Sequence, residues 1–324
     1  MATFTPQNSL VVSTTPANGL STADAVDYVF NYLRQLSKSG GPLPSEYLNL
    51  NLSLNSLAHL RHTGLISQKD IEGIRKELGE AMSPKTIQGF AYCKPHGYAG
   101  DYEIIEKIYA KHICQEENLR NWDMFFQSHQ AAQAVRNRVS FFLDQAWQTR
   151  IKNPQGARIL NVASGPGRDM YECLQAIGPT GITFDCIDQD VNAIIHAKTL
   201  CNTFSNHLQF FHQNVFKFIP KTTYHLIWSA GLFDYFSDNL FKRVLKRLLP
   251  CLEENGKLII GNFSNTNPSQ DYMEFFNWLL HHRSPKELQA LAEECGVSPK
   301  NISIEQEPEG VNLFLTIYKE PSSH

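Results

Sequence analysis

The sequence predicts an α/β fold, a mostly parallel seven-stranded sheet ending in an antiparallel hairpin, preceded by a mainly helical region. Three observations carry that expectation. Arg158–Ala163 is a short apolar run bounded by Gly156 and Gly165, and a glycine turn, SGPG, follows it directly. Strand-like runs then alternate with helical spacing at 158–163, 182–187, 208–212, 224–230 and 256–262, the pattern of parallel strands joined by right-handed crossovers. Finally, Ile302–Glu307 and Asn312–Tyr318 are strand-like runs joined through Pro308-Glu309-Gly310, a hairpin signal.

Each element has a local reason. Met1–Leu20 is rich in Ser, Thr, Pro and Asn and reads as a flexible tail. Ser21 with Asp24 resembles a capping box, and Val26, Val29, Tyr32, Leu33 and Leu36 recur at helical spacing until SKSGGPLPS breaks the run. Leu48, Leu50, Leu52 and Leu54 alternate like a strand, whereas Leu57, Leu60 and the Gly64 stop suit a helix; both readings stand at this point. Ser67 and Asp70 cap a helix expected to reach Met82, and Met124–Trp147 has the pattern of one long amphipathic helix. Residues 21–150 therefore form a helical region, with a nucleotide-type α/β domain from 151 to 324. Within that domain, Arg168–Ile177 has helical spacing through Met170, Leu174 and Ile177.

Composition narrows the class. With 324 residues, 42% hydrophobic and 19% charged, the chain can bury a sizeable core. A net charge of -3 and a pI near 6.5 lack the basic footprint of a nucleic-acid binder. Lys242-Arg243 and Lys246-Arg247 read as a solvated helix face. Seven dispersed cysteines without a C-x-x-C pair suggest reduced thiols in a cytoplasmic protein and no metal site. No signal-like stretch and no run of about 18 apolar residues is evident, so no membrane partner is expected.

The chemistry should lie at the carboxyl ends of the strands. In order these are Val162–Gly167, Asp188–Gln189, Gln213–Asn214, Ser229–Tyr235 and Asn262–Phe263. Glycines at 165 and 167 let the backbone turn sharply and bring bare N–H groups to a ligand at a helix N-terminus. Asp188, ending the second strand, can accept both hydroxyls of a ribose. A dinucleotide-binding turn would place a third glycine where Met170 stands, and a dehydrogenase would need a second mononucleotide half instead of the hairpin.

The turn instead resembles motif I of class I S-adenosylmethionine-dependent methyltransferases, which have a Rossmann-like methyltransferase fold. That resemblance implies S-adenosyl-L-methionine as cofactor, held by Ala163, Ser164, Gly165, Gly167, Asp188, Gln189, Gln213, Asn214, Val215, Ser229 and Ala230. The first strand carries Asn161 where an acid is common in that superfamily, so support for the cofactor's ammonium is expected from elsewhere, with Asp169 a candidate.

Three stretches narrow the resemblance: KPHGYAGDYEIIEKIY at 94–109, SAGLFDYFSD at 229–238 and GNFSNTNPSQDYMEFFNWLLHHRS at 261–284. Together they resemble the methyltransferase family of 3-hydroxypalmitic acid methyl ester biosynthesis. The family pattern falls on Lys94, Pro95, Gly97, Tyr98, Gly100, Asp101 and Glu103, then on Gly231, Asp234, Tyr235, Asn262, Asn267, Pro268, Trp278 and Arg283. It implies methyl transfer, with Tyr98, Asp101 and Tyr235 as candidate catalytic residues. Arg168, Phe233, Asn262, Phe263 and Arg283 are the candidate acceptor-binding residues. Segment 94–109 is expected to close the site as a lid, and Phe233, Tyr235, Phe236, Phe263, Phe275, Phe276 and Trp278 suggest an apolar acceptor pocket. His96, His212 and His225 could act as bases or simply hydrogen-bond within the structure.

The expected function is methylation of a small, partly apolar molecule, for instance at the carboxyl group of a hydroxy fatty acid, by a monomer or homodimer. C- or N-methylation of an aromatic or prenyl-like intermediate, and cofactor binding without catalysis, are the alternatives.

Overall fold

The computed structural model describes residues 22–220 and 222–321. The tail expected over 1–20, and Ser21 of the first capping box, lie outside them. In chain order the helices are α1 (Thr22–Lys38), α2 (Tyr47–His62), α3 (Gln68–Lys76), α4 (Ile87–Cys93), α5 (Tyr102–Tyr109), α6 (Glu117–Ser128) and α7 (Gln130–Lys152). Then follow β1 (Ala157–Val162), α8 (Arg168–Ile177), β2 (Ile182–Asp188), α9 (Val191–Leu200), β3 (Leu208–His212) and β4 (Tyr224–Ser229). The chain continues through α10 (Asp238–Leu248), β5 (Leu252–Phe263), α11 (Gln270–Phe275), α12 (Pro285–Glu293), β6 (Ile302–Gln306) and β7 (Asn312–Tyr318).

These elements divide into two compact units, interleaved along the sequence. The first takes the described residues up to Pro95, with Ile113–Phe126 and Gln270–Trp278; the second takes His96–His112, Gln127–Ser269 and the rest from Leu279.

The first unit is helical. In α2 the buried residues are Leu50, Ser53, Leu54 and Leu57, a helical i, i+3, i+4, i+7 face that settles the earlier ambiguity. Asp123 in α6 accepts from the N–H groups of Ile87 (2.7 Å) and Cys114 (2.8 Å), so one buried carboxylate fixes the start of α4 and the entry to α6. Arg75 donates to the Phe275 carbonyl at 2.6 Å, and the Tyr272 hydroxyl donates to Gln88 at 2.9 Å, tying α11 to α3 and α4. Two expectations need correction here. The Ser67 helix ends at Lys76 and continues only as a 3-10 turn over Gly79–Met82. The long helix expected from Met124 is broken, because His129 takes extended backbone (φ −70, ψ 144) and α7 restarts after it.

The second unit holds the sheet, in the order β3-β2-β1-β4-β5-β7-β6. β1 to β5 run parallel, and β7 enters antiparallel between β5 and β6. This is a Rossmann-like methyltransferase fold with the expected terminal hairpin. On one face α7 and α8 cover an apolar cluster including Phe142, Met170, Cys173, Trp228 and Phe314. On the other, α10 and α12 cover Phe241, Val244, Leu245, Leu288 and Leu291 with Leu258 and Ile260 of β5.

Two features of this sheet position the site. The chain leaves β1 toward β2 and β3 on one side and resumes at β4 on the other, so strand order reverses between β1 and β4, where open α/β sheets bind ligands. β1 and β2 also end in register, Val162 opposite Ile187. The SGPG turn and Asp188 therefore begin side by side. Among the described residues no helix is long and apolar enough to cross a membrane.

Candidate functional site

At the end of β1 the chain turns sharply, with Ala163 at φ +56 and Gly165 at φ +52. The Ser164 N–H donates to the Ile187 carbonyl at 3.1 Å, and the Gly165 N–H donates to Oδ2 of Asp188 at 2.8 Å. The glycine turn and the ribose-type acid predicted from sequence are thus in direct contact. Asp188 is buried, and its other oxygen accepts from the Asp190 N–H at 2.9 Å. Burial pushes its carboxyl above the usual range, although those N–H bonds favour the charged form.

The two motif glycines do different work. A Cβ at Gly165 would meet nothing within 4 Å, so its surface is open to a ligand. A Cβ at Gly167 (φ +79) would lie 2.8 Å from Cβ of Ala197. Gly167 lets α8 and α9 pack closely. Ser164 adds a buried hydroxyl with no hydrogen-bond partner among the described residues, an unsatisfied group that a polar ligand atom would relieve.

The other residues expected to hold cofactor take varied positions. Asn214 donates to Oε1 of Gln189 at 2.8 Å, forming an amide pair beyond β2 and β3, while Gln213 is exposed and Val215 buried. The Ser229 hydroxyl donates to the Val162 carbonyl at 3.0 Å and so staples β4 to β1. Asn161 is buried with its amide on the Met170 sulfur. Asp169, by contrast, accepts from the Tyr109 hydroxyl (3.1 Å) and Trp228 Nε1 (3.0 Å), and forms no ion pair among the described residues.

Tyr98 is brought against Asp190, within the field of Asp188. The Tyr98 hydroxyl donates to Oδ2 of Asp190 at 2.8 Å. Burial, then Asp190, Asp188 and Asp101, push its phenol upward, so Tyr98 stays protonated and acts as a donor, not a base. Asp101 caps α5, accepting at Oδ1 from the N–H groups of Glu103 (2.9 Å) and Ile104 (3.0 Å). His96 lies 3.1 Å from Glu103.

Four of the five candidate acceptor-binding residues, Phe233, Asn262, Phe263 and Arg283, form a separate, buried knot beyond β4 and β5. Arg283 donates to the carbonyls of Phe233 (3.2 Å) and Phe236 (2.5 Å), to Oδ1 of Asn262 (2.8 Å) and to Asp238 (2.9 Å). The Asn262 amide donates to the carbonyls of Phe263 (2.9 Å) and His281 (3.0 Å). Phe233 is fully buried, packed on Phe236 and Phe241. The family-pattern residues Asp234, Asn262 and Arg283 thus fasten the turn Phe233–Tyr235, on which Tyr235 is half-buried. Arg168, expected to meet an acceptor carboxylate, is bound to Glu106 and Glu172. Phe236 and Phe263 are core in this unit, as Phe275, Phe276 and Trp278 are in the helical one.

Sequence reasoning missed Asp190, Tyr109, Trp228 and Arg138. Asp190 follows Asp188 closely in DQD and was legible as an N-cap; the other three come from separate elements and meet only in the fold.

Asp234 gives a measurable signature. Its carboxyl accepts from the Phe263 N–H at 2.6 Å, and burial pushes it up to about 6 against the fields of Arg138 and Arg283. The folded state therefore holds this proton more tightly than the unfolded chain does. Stability contributed here is present at low pH and falls as pH rises from about 4 to about 6, by at most about 3 kcal/mol. Asp234→Asn keeps an acceptor for Phe263 and should flatten that part of the profile; urea midpoints measured from pH 4 to 7 check this, and an unchanged slope refutes it.

No protein-family model matches the sequence, and no curated protein matches it. Among solved structures, the chain is similar to a possible exported protein from Bordetella parapertussis, with 16% identity, TM-score 0.57 and coverage of 95% of this chain and 100% of that one. Lower in similarity is the S-adenosylmethionine-dependent methyltransferase SibL in its apo form, at 12% identity and TM-score 0.49 over 92% and 96% of the two chains. Magnesium protoporphyrin IX methyltransferase (ChlM) from Synechocystis PCC 6803 with bound SAH has 12% identity and TM-score 0.47 over 60% and 89%. At 16% identity the likeness to the first of these is one of fold.

Proposed function

We propose that the chain binds S-adenosylmethionine at the ends of β1 and β2 and transfers its methyl group to a small, partly apolar acceptor. The observation that carries this reading is the contact between Gly165 and Asp188, beside an open glycine surface and an unpartnered Ser164 hydroxyl. The residues present fit such a nucleoside. Each Asp188 oxygen takes one backbone N–H and keeps lone pairs for ribose hydroxyls. Asp188, Asp190 and Asp169 give these strand ends a negative field suited to a cationic ligand.

When bound, the cofactor supplies a methyl group already activated by the sulfonium charge. The chain's part is to hold the acceptor in line and exclude water. Tyr98, kept protonated by burial and then by its carboxylate neighbours, can orient an acceptor but cannot deprotonate one. That favours an acceptor whose lone pair is already available, such as a carboxylate, and segment 94–109 resembles the hydroxy fatty acid ester family in the same sense.

Calorimetric titration with S-adenosylhomocysteine tests the reading, with micromolar binding expected. Turnover of a 3-hydroxy fatty acid should then yield its methyl ester. Binding without methylation across carboxylate, amine and phenol acceptors would instead support a non-catalytic module, and failure to bind would refute the proposal.

A further inference from the structure

Arg138, on α7, is used by none of the chemistry above. Its side chain is buried, and it reaches the switch point between β1 and β4, where it donates through Nη1 to the Ala230 carbonyl and through Nε to the Val135 carbonyl at 3.4 Å. Among the described residues it forms no ion pair. It also lies within hydrogen-bonding reach of the Tyr109 hydroxyl, and its field reaches the carboxyl of Asp234, which is held by Phe263 and shared with Arg283. A buried cation satisfied mainly by carbonyl dipoles has donors to spare, and an anion placed against it gains charge-assisted hydrogen bonds in a dry setting.

Access to that cation is built into the chain. Gly231 is exposed, and a Cβ there would lie 3.0 Å from Nη1 of Arg138, its nearest neighbour. That position is too tight for a methyl group, and only the guanidinium lies within 4 Å of it, so glycine lets Nη1 come up against an exposed strand end. Tyr109 stands between this cation and Asp169, whose carboxylate its hydroxyl engages. Opposite charges therefore flank one phenol at the mouth of the switch point.

We infer that Arg138 is a carboxylate anchor, receiving beside the bare Gly231 backbone the carboxylate of a molecule bound at the ends of β1 and β4. This rests on the proposed nucleoside reading. The same chemistry can come from the amino-acid end of the cofactor or from a carboxylic acid acceptor, and binding measurements separate the two. The full chain is titrated with S-adenosylhomocysteine, with 5′-methylthioadenosine, which lacks the amino-acid end, and with decanoate in the presence of S-adenosylhomocysteine. Arg138→Met removes the cation. Gly231→Ala displaces it while leaving its charge, and keeps the test valid should Arg138→Met fail to fold.

If the cofactor supplies the carboxylate, both variants bind S-adenosylhomocysteine about tenfold or more weakly and 5′-methylthioadenosine as the wild type does. If the acceptor supplies it, both nucleosides bind unchanged and decanoate binding falls by a similar factor. Variants that keep the wild-type ratio between the nucleosides and the wild-type decanoate affinity overturn the inference. A wild-type chain that binds 5′-methylthioadenosine upholds the parent reading whatever Arg138 does, and one that binds neither nucleoside removes both.

Discussion

Asp188→Ala is expected to lower affinity for S-adenosylhomocysteine by about 100-fold while leaving the protein folded. Two losses combine. The carboxylate would no longer accept the ribose hydroxyls, each a charge-assisted hydrogen bond of roughly 1.5–3 kcal/mol. The N–H groups of Gly165 and Asp190, held at 2.8 and 2.9 Å, would lose their acceptor, so the glycine turn would no longer be preset for ligand. A net loss near 3 kcal/mol corresponds to about two decades in affinity. Asp188→Asn keeps one acceptor oxygen and should fall between wild type and Asp188→Ala. Because burial raises the Asp188 carboxyl, wild-type affinity should also decline on acidification at a higher pH than an ordinary aspartate would give, since protonation removes the acceptor charge. Titration calorimetry across pH measures both effects; an Asp188→Ala variant with wild-type affinity would refute the site.

Arg283→Met is expected to destabilise the fold by about 3–5 kcal/mol, the usual consequence of removing one member of a buried charged network. The guanidinium is buried and satisfies the carbonyls of Phe233 and Phe236 and the amide oxygen of Asn262. Methionine fills part of the volume but offers no donors, leaving these acceptors unpaired in the core. The turn Phe233–Tyr235 should loosen, because its Asp234 also loses a stabilising cation. For a chain of this size the shift in midpoint is on the order of 10 °C. Thermal unfolding decides it: a shift of no more than a degree would show that the knot is not structural. By contrast, Arg283→Met should weaken S-adenosylhomocysteine less than Asp188→Ala does, since no Arg283 contact reaches the glycine turn.

The sheet was largely legible because its strands are apolar, short and punctuated. β3 and β7 match the sequence bounds, and the end of β2 at Asp188 is where the acid was expected. Helices were less so. The LNLNLSL run mimics strand alternation, and only packing selects its helical face. The break at His129 has no glycine or proline to announce it. At the site, local signals sufficed for Gly165 and Asp188, since both lie at strand ends joined by one crossover. They failed for Arg283, which family pattern marked but whose partners lie 21 to 50 positions away. The same holds for Arg138, whose partner Ala230 is 92 residues on.

The interleaving of the two units carries a consequence for biosynthesis. The helical unit draws Tyr272, Phe275 and Phe276 into its core, so a nascent chain cannot complete that unit until it has emerged beyond residue 278. By then β1 to β5 have already left the ribosome, and the N-terminal helices must wait, partly exposed, for a late segment. Fragments ending near residue 150 would lack it altogether and should be prone to aggregation.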